Sequence, residues 1–264
     1  MLGEGESGPA NLGLGIEPAH EAVLQSARMA LRQAGLAEEA LRSVAAGIGL
    51  AGANVPALAE AFRRVPLPFR CASVLSDAEV ACLGAHLGHD GGILILGTGS
   101  QGVVHRESRF VTIGGWGFAL SDDGSGAVLG RAAVRRSLLA HEGVAPASPF
   151  TVAVMARLGN DPPAMVSWAA EARPREWAAF ARDVFDHATR GDEVALALVQ
   201  SSAADVERLL DRLIALGAAR ISLMGGVAEP TRSYLSPRFA AALVAPLGDA
   251  MAGALLLAQR SVRR

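Results

Sequence analysis

Residues Gly92–Gly130 read GILILGTGSQGVVHRESRFVTIGGWGFALSDDGSGAVLG. An apolar run, Ile93-Leu94-Ile95-Leu96, ends in the glycine turn Gly97-Thr98-Gly99-Ser100. A second glycine cluster follows at Gly114-Gly115-Trp116-Gly117, and a third turn carries two acids, Asp122-Asp123-Gly124-Ser125-Gly126. Glycine lets backbone N–H groups approach an anion with no Cβ in the way, so a strand ending in Gly-Thr-Gly-Ser predicts a phosphate holder. Gly97–Gly102 also matches G-x-G-x-x-G, the dinucleotide fingerprint, with Asp122 or Asp123 at about the expected distance of twenty residues. That reading is rejected. The fingerprint needs a helix to start inside it, whereas Val103–Arg106 and Phe110–Ile113 read as two short strands around the polar turn Glu107-Ser108. Strand, glycine turn and strand make a phosphate-clasping hairpin.

Composition narrows the classes further. With 264 residues and 51% hydrophobic content, the chain suffices for one large domain or two modest ones. A net charge of −2 and a pI near 6.3 give no electrostatic case for nucleic acid or an anionic membrane. No stretch reaches the eighteen or so apolar residues of a membrane helix, and the opening MLGEGESGPAN lacks the basic start and apolar centre of a signal peptide. Cys71 and Cys82 form no Cys-x-x-Cys pair, which reads as a reduced, cytoplasmic protein with two core thiols. The chain has no lysine, all 24 basic residues being arginine. A Walker A loop and Schiff-base chemistry are therefore excluded, and ATP would have to be held by glycine turns, hydroxyls and metal.

Outward from the glycine turns, the order is strand, helix, strand, helix, which predicts an α/β architecture. Leu2–Gly8 reads as the tail of a strand, and Ser7–Asn11 as a turn. Pro18 starts a helix that Gly35 stops. Val44–Gly52 and Arg70–Leu75 read as strands flanking a helix opened by Pro56, and Ser76–Glu79 leads into a helix to about Leu87. Ligands in such sheets sit beyond the carboxyl ends of the strands, where Asp77 falls. A helix follows Gly126 to about His141, and its N-terminus is placed to attract negative charge. Ser148–Gly217 reads as helical scaffold in which Trp168 and Trp177 pack, and Glu193–Leu216 is long and amphipathic. Arg220–Met224 reads as a strand ending in Gly225-Gly226, and Asp249–Gln259 as a closing helix. His86 and His89, at i and i+3, could share a helix face. No metal cluster is evident in the sequence.

GTGS, then GGWG, then a D-D-G-S-G turn, in this order, resembles the N-acetylglucosamine and glucosamine kinases and the related BadF/BadG/BcrA/BcrD-type ATPases of the actin/hexokinase/Hsp70 superfamily. The resemblance implies a two-lobed actin-like ATPase (ribonuclease H-like) fold. One lobe would be residues 1–90 with the closing helix 248–264, the other 91–247. It also implies ATP and Mg²⁺ as cofactors, an amino-sugar substrate, and the homodimer common in that family. Residue by residue, it makes Gly97, Thr98 and Gly99 phosphate contacts, and it makes Gly225 and Gly226 the adenosine holders. Asn11, Ser100, Gly115, Trp116, Asp122 and Asp123 would be sugar-site residues, and Asp77 the base that takes the proton of the attacking hydroxyl. A carboxylate suits both acid roles, since it accepts from two hydroxyls or takes a proton.

Members of that family open with a strand and a D-G-G-G-T-type turn whose Asp positions Mg²⁺. The present sequence opens at what reads as a later strand, about fifteen to twenty residues into the pattern, so the first lobe is expected to be truncated at its N-terminal strand. Either a misplaced start or a true truncation explains this, and the latter predicts poor stability and little catalysis. Two other readings stay beside the kinase. One is a non-catalytic sugar- or nucleotide-binding protein. The other is the ATPase activator branch that serves acyl-CoA reductases or dehydratases, which needs cluster-binding cysteines that this sequence does not display.

Overall fold

The computed structural model describes residues 2–262. In chain order the elements are α1 (Ile16–Gln33), β1 (Ala45–Leu50), α2 (Pro56–Arg63), β2 (Cys71–Ser76), α3 (Asp77–Ala85), β3 (Gly91–Leu96), β4 (Ser100–Arg106), β5 (Arg109–Gly114), α4 (Gly126–His141), α5 (Pro149–Arg157), α6 (Pro162–Glu171), α7 (Pro174–Ala178), α8 (Ala181–Thr189), α9 (Glu193–Ala215), β6 (Ile221–Met224), α10 (Ala228–Arg232) and α11 (Ala250–Val262). They form two compact units. The first takes the chain up to Gly91, the hairpin tip His105–Phe110 and the described residues from Ala245 onward. The second takes 92–104 and 111–244.

In the first unit β1 and β2 pair in parallel, from Ala45 opposite Cys71 to Leu50 opposite Ser76, with α2 as the crossover between them. Leu12, Ile48, Leu50 and Phe62 are buried together. Helices α3 and α11 pack backbone to backbone. A Cβ on Gly84 would lie 1.7 Å from Asp249 O, and one on Gly253 would lie 1.9 Å from Val80 O. Only glycine permits that approach, which accounts for the Gly253-Ala254 pair in the closing helix.

Three expectations are corrected here. Leu2–Gly8 forms no strand. The backbone of Gly3 and Gly5 instead lies against the carbonyls of Ala30 and Ser26 in α1. α3 stops at Ala85, because Leu87 and Gly88 take left-handed conformations (φ 49° and 78°), so His86 and His89 share no helix face. Cys82 is buried but Cys71 is only half-buried, so a single thiol sits in the core.

The second unit is built on the four-stranded sheet β5-β4-β3-β6, with β3 and β6 parallel from Gly92 opposite Ile221 to Ile95 opposite Met224. Glu107 and Ser108 join β4 to β5 with positive φ at both positions (51° and 63°), the geometry that matches strand twist in a two-residue hairpin. Helices α4, α5, α8 and α9 cover the sheet with one core that includes Leu94, Leu96, Phe150, Val184, Val206 and Leu210. Fully burying each such side chain contributes about 1.5–3 kcal/mol. Trp177 is part of this core and Trp168 packs against it, their tilted rings 4.6 Å apart, both as packing residues.

Asp192 ties two helix starts together. Its carboxylate accepts from Val194 N and Ala195 N at the head of α9, and from Phe150 N at the head of α5, each at 3.0 Å. Burial works to raise its pKa. The donors from Ala195, Phe150, Ser148 and Val194 outweigh burial and hold it below the usual aspartate value. A depressed folded pKa means that this stability is present above the unfolded value near ~4 and is lost as pH falls through the folded value. Asp192→Ala is therefore expected to cost about 0.5–2 kcal/mol at neutral pH. In urea unfolding, the gap to wild type should narrow at acid pH. An equal gap at both ends would contradict this role.

Candidate active site

The second unit draws its three glycine turns together at the ends of β3 and β6. Gly97 N donates back to Gly99 O at 2.9 Å and closes the first turn. Ser100 N donates to Asp122 Oδ1 at 3.2 Å, and Ser100 Oγ donates to the Asp123 carbonyl at 2.8 Å, so the first and third turns are stitched side to side. Gly126 N donates to Gly97 O at 2.8 Å and Ala127 N to Thr98 O at 3.2 Å, while Val128 N is capped by Ser125 Oγ.

The first three amides of α4 are thus spent on the glycine turn and on its cap. This corrects the expectation that the helix N-terminus itself attracts an anion: those donors brace the turn instead. Thr98 N–H and Gly99 N–H, by contrast, have no partner among the described residues, and Thr98 is exposed. They are the donors that the cradle leaves for a ligand.

Gly225 and Gly226 stand next to this turn. Val227 N donates to Leu96 O at 2.9 Å. Gly225 has φ +95°, and a Cβ there would lie 2.5 Å from Leu96 O. A Cβ on Gly226 would meet nothing within 4 Å, so its backbone faces open space.

The two acids diverge. Asp122 is only 6% exposed and adopts φ +71°, a left-handed conformation that Asp tolerates better than most residues. Its carboxylate lies over Gly99, where a Cβ would be 2.8 Å from Oδ2. Asp123 is exposed. Trp116 is 59% exposed, so it is no core residue. Its backbone N–H donates to Ser121 Oγ at 3.0 Å, and Ser121 Oγ in turn donates to Asp122 Oδ1 at 3.4 Å. Gly115 lies against the Gln101 side chain, as its φ of +75° allows. Ser121 escaped the sequence reading; its only signal was its place immediately before the acid pair.

Asn11 and Asp77 belong to the first unit, where both stand at the carboxyl end of the parallel pair. Asn11 bridges to Ala51, just past β1, and its Oδ1 accepts from Gly13 N at 2.8 Å. Asp77 follows Ser76 of β2, is exposed, and accepts from Ala78 N at 2.9 Å. Ser76 supplies the helix cap, its Oγ accepting from Glu79 N while Glu79 returns a bond to Ser76 N at 2.8 Å. Capping therefore does not need Asp77. Among the described residues no three His, Cys, Asp or Glu side chains group as a metal site, and no helix is long and apolar enough to cross a membrane.

Comparison with known proteins follows the same lines. The model of the BadF/BadG/BcrA/BcrD ATPase family matches residues 1–258. The chain is 40% identical over 257 residues to the glucosamine kinase GspK of Vibrio cholerae, covering 97% of this chain and 87% of that protein. A crystal structure assigned as an N-acetylglucosamine kinase from Chromobacterium violaceum superposes with a TM-score of 0.87 at 36% identity, covering 98% of this chain and 90% of that one. A glucokinase of the ROK family from Streptomyces griseus shares the fold alone, at a TM-score of 0.52 and 20% identity, over 94% of this chain and 88% of that one. The fold is the actin-like ATPase fold of these sugar kinases.

Proposed function

The chain belongs to the BadF/BadG/BcrA/BcrD ATPase family, and we propose that within it the chain phosphorylates an amino sugar, glucosamine or N-acetylglucosamine, with Mg-ATP as phosphoryl donor. The observation that carries this is the stitched set of turns. Thr98 N–H and Gly99 N–H, without a partner among the described residues, sit in a braced turn beside Gly225-Gly226, in a chain 40% identical to a glucosamine kinase.

Gly97, Thr98 and Gly99 hold phosphate oxygens, and Gly225 and Gly226 receive the nucleoside. Asn11, Ser100, Gly115, Trp116, Asp122 and Asp123 serve the sugar. Asp122 has a double duty: one oxygen pins Ser100 N, which leaves further lone pairs for a hydroxyl. Asp77 takes the proton of the attacking sugar hydroxyl as its oxygen bonds to the γ-phosphorus. The bond from that phosphorus to the bridging oxygen breaks, and ADP leaves with the electron pair. Magnesium enters as part of the nucleotide substrate and neutralises phosphate charge. No acidic cluster of the described residues is asked to hold it.

The test is sugar-dependent ADP release. With glucosamine or its N-acetyl form, release is expected to rise well above the sugar-free rate. ATP hydrolysis indifferent to both sugars would place the chain with the family's ATPases and overturn the kinase reading.

A further inference from the structure

We infer that the first unit carries a second ligand site, for a small organic anion with one carboxylate or phosphate head on an apolar body. None of its residues takes part in the function proposed above, and the inference does not rest on that reading.

A cavity of about 620 Å³ opens beside β2 and α11, within the roughly 300–1,000 Å³ that small-molecule sites occupy. Leu83, Phe110 and Leu257 give it apolar walls, and Arg63 and Arg260 bring two positive charges. No Asp or Glu lines it. Arg63 Nη2 donates to Val74 O at 3.3 Å and Arg260 Nη2 to Gly88 O at 2.9 Å. These bonds orient the two guanidiniums and leave most of their five N–H groups each unused. Among the described residues neither pairs with a carboxylate.

The strand edge supplies an independent observation. β2 is paired with β1 and with no further strand among the described residues. Val74 O faces the open edge, because Arg63 reaches it there. In a strand the N–H and C=O of one residue point to the same side, and side alternates residue by residue. Val74 N–H and Ala72 N–H therefore also face the open edge, and both residues line the cavity. Two arginines and the open-edge residues Ala72 and Val74 thus line one cavity with apolar walls. That donor set recognises an anion.

The test is a titration of the full chain with phenyl phosphate, followed through backbone amide resonances. The amides of Ala72 and Val74 should shift, and the double variant Arg63→Gln/Arg260→Gln should weaken that response at least about tenfold while its melting temperature stays put. Benzoate runs in parallel and separates a carboxylate from a phosphate preference. A response to either supports the site. Inorganic phosphate alone should bind more weakly, for lack of the apolar contact. The proposal is overturned if only Thr98 and Gly99 respond, if the double variant binds as tightly as wild type, or if an extended acidic peptide shifts these amides while neither small anion does. This outcome is independent of ADP release, so its failure would leave the kinase reading untouched.

Discussion

Asp77→Asn is expected to lower kcat for sugar phosphorylation by about 10²–10⁴, the usual contribution of a positioned general base, while the KM values for sugar and nucleotide stay within a few-fold of wild type. The substitution keeps the shape of the side chain and removes its basicity. The fold should tolerate it, because Ser76 and Glu79 cap α3 between them. Among the described residues the Asp77 side chain accepts only from the neighbouring Ala78 N. Loss of a negative charge at a helix start costs no more than about 1 kcal/mol. Steady-state kinetics alongside a thermal melt check both halves. A kcat within tenfold of wild type, in a protein that melts normally, would move the base to another residue.

The second large effect is expected at Gly225, and its neighbour is the control. Gly225→Ala places a Cβ 2.5 Å from Leu96 O on a backbone with φ +95°. Strain at such a conformation costs about 1–3 kcal/mol, and the crowding costs a similar amount again. β6 must then move away from Leu96 and Gly97, which carries the Gly225-Gly226 turn away from the Gly97–Ser100 turn. The melting temperature should fall by several degrees or more, and nucleotide KM should rise at least about tenfold. Gly226→Ala meets nothing within 4 Å, so it should leave the melt unchanged. Any rise in its nucleotide KM then reports direct contact with the ligand. Equal, small effects at both positions would contradict the arrangement of turns described here.

The sequence made the turns legible because glycine and small polar residues mark backbone that has no regular alternative. Gly97-Thr98-Gly99-Ser100, the Glu107-Ser108 hairpin and Gly225-Gly226 all fall where the pattern put them. Helix starts were legible after Ser76, at Gly126 and at Glu193, and the structure caps these with Ser76, Ser125 and Asp192. Periodicity did less. α3 is buried on nearly every side, so it shows no apolar stripe, and the sequence carried it to about Leu87, where the left-handed backbone has already ended it.

Side-chain direction was the least legible property. Nothing in Asp122-Asp123 says which acid turns inward. That is set by the left-handed backbone at Asp122 and by the Ser100 amide, which lies 22 residues back along the chain. Leu2–Gly8 misled for a related reason: its glycines serve close packing on α1, which an alternating pattern imitates.

The most direct test of the central claim is the ³¹P spectrum of a reaction containing this chain, Mg-ATP and glucosamine or N-acetylglucosamine. The predicted result is a new phosphomonoester resonance on the sugar that grows in step with ADP. Inorganic phosphate growing in its place would mean that the braced turns serve ATP hydrolysis alone. That result would contradict the assignment of an amino-sugar kinase.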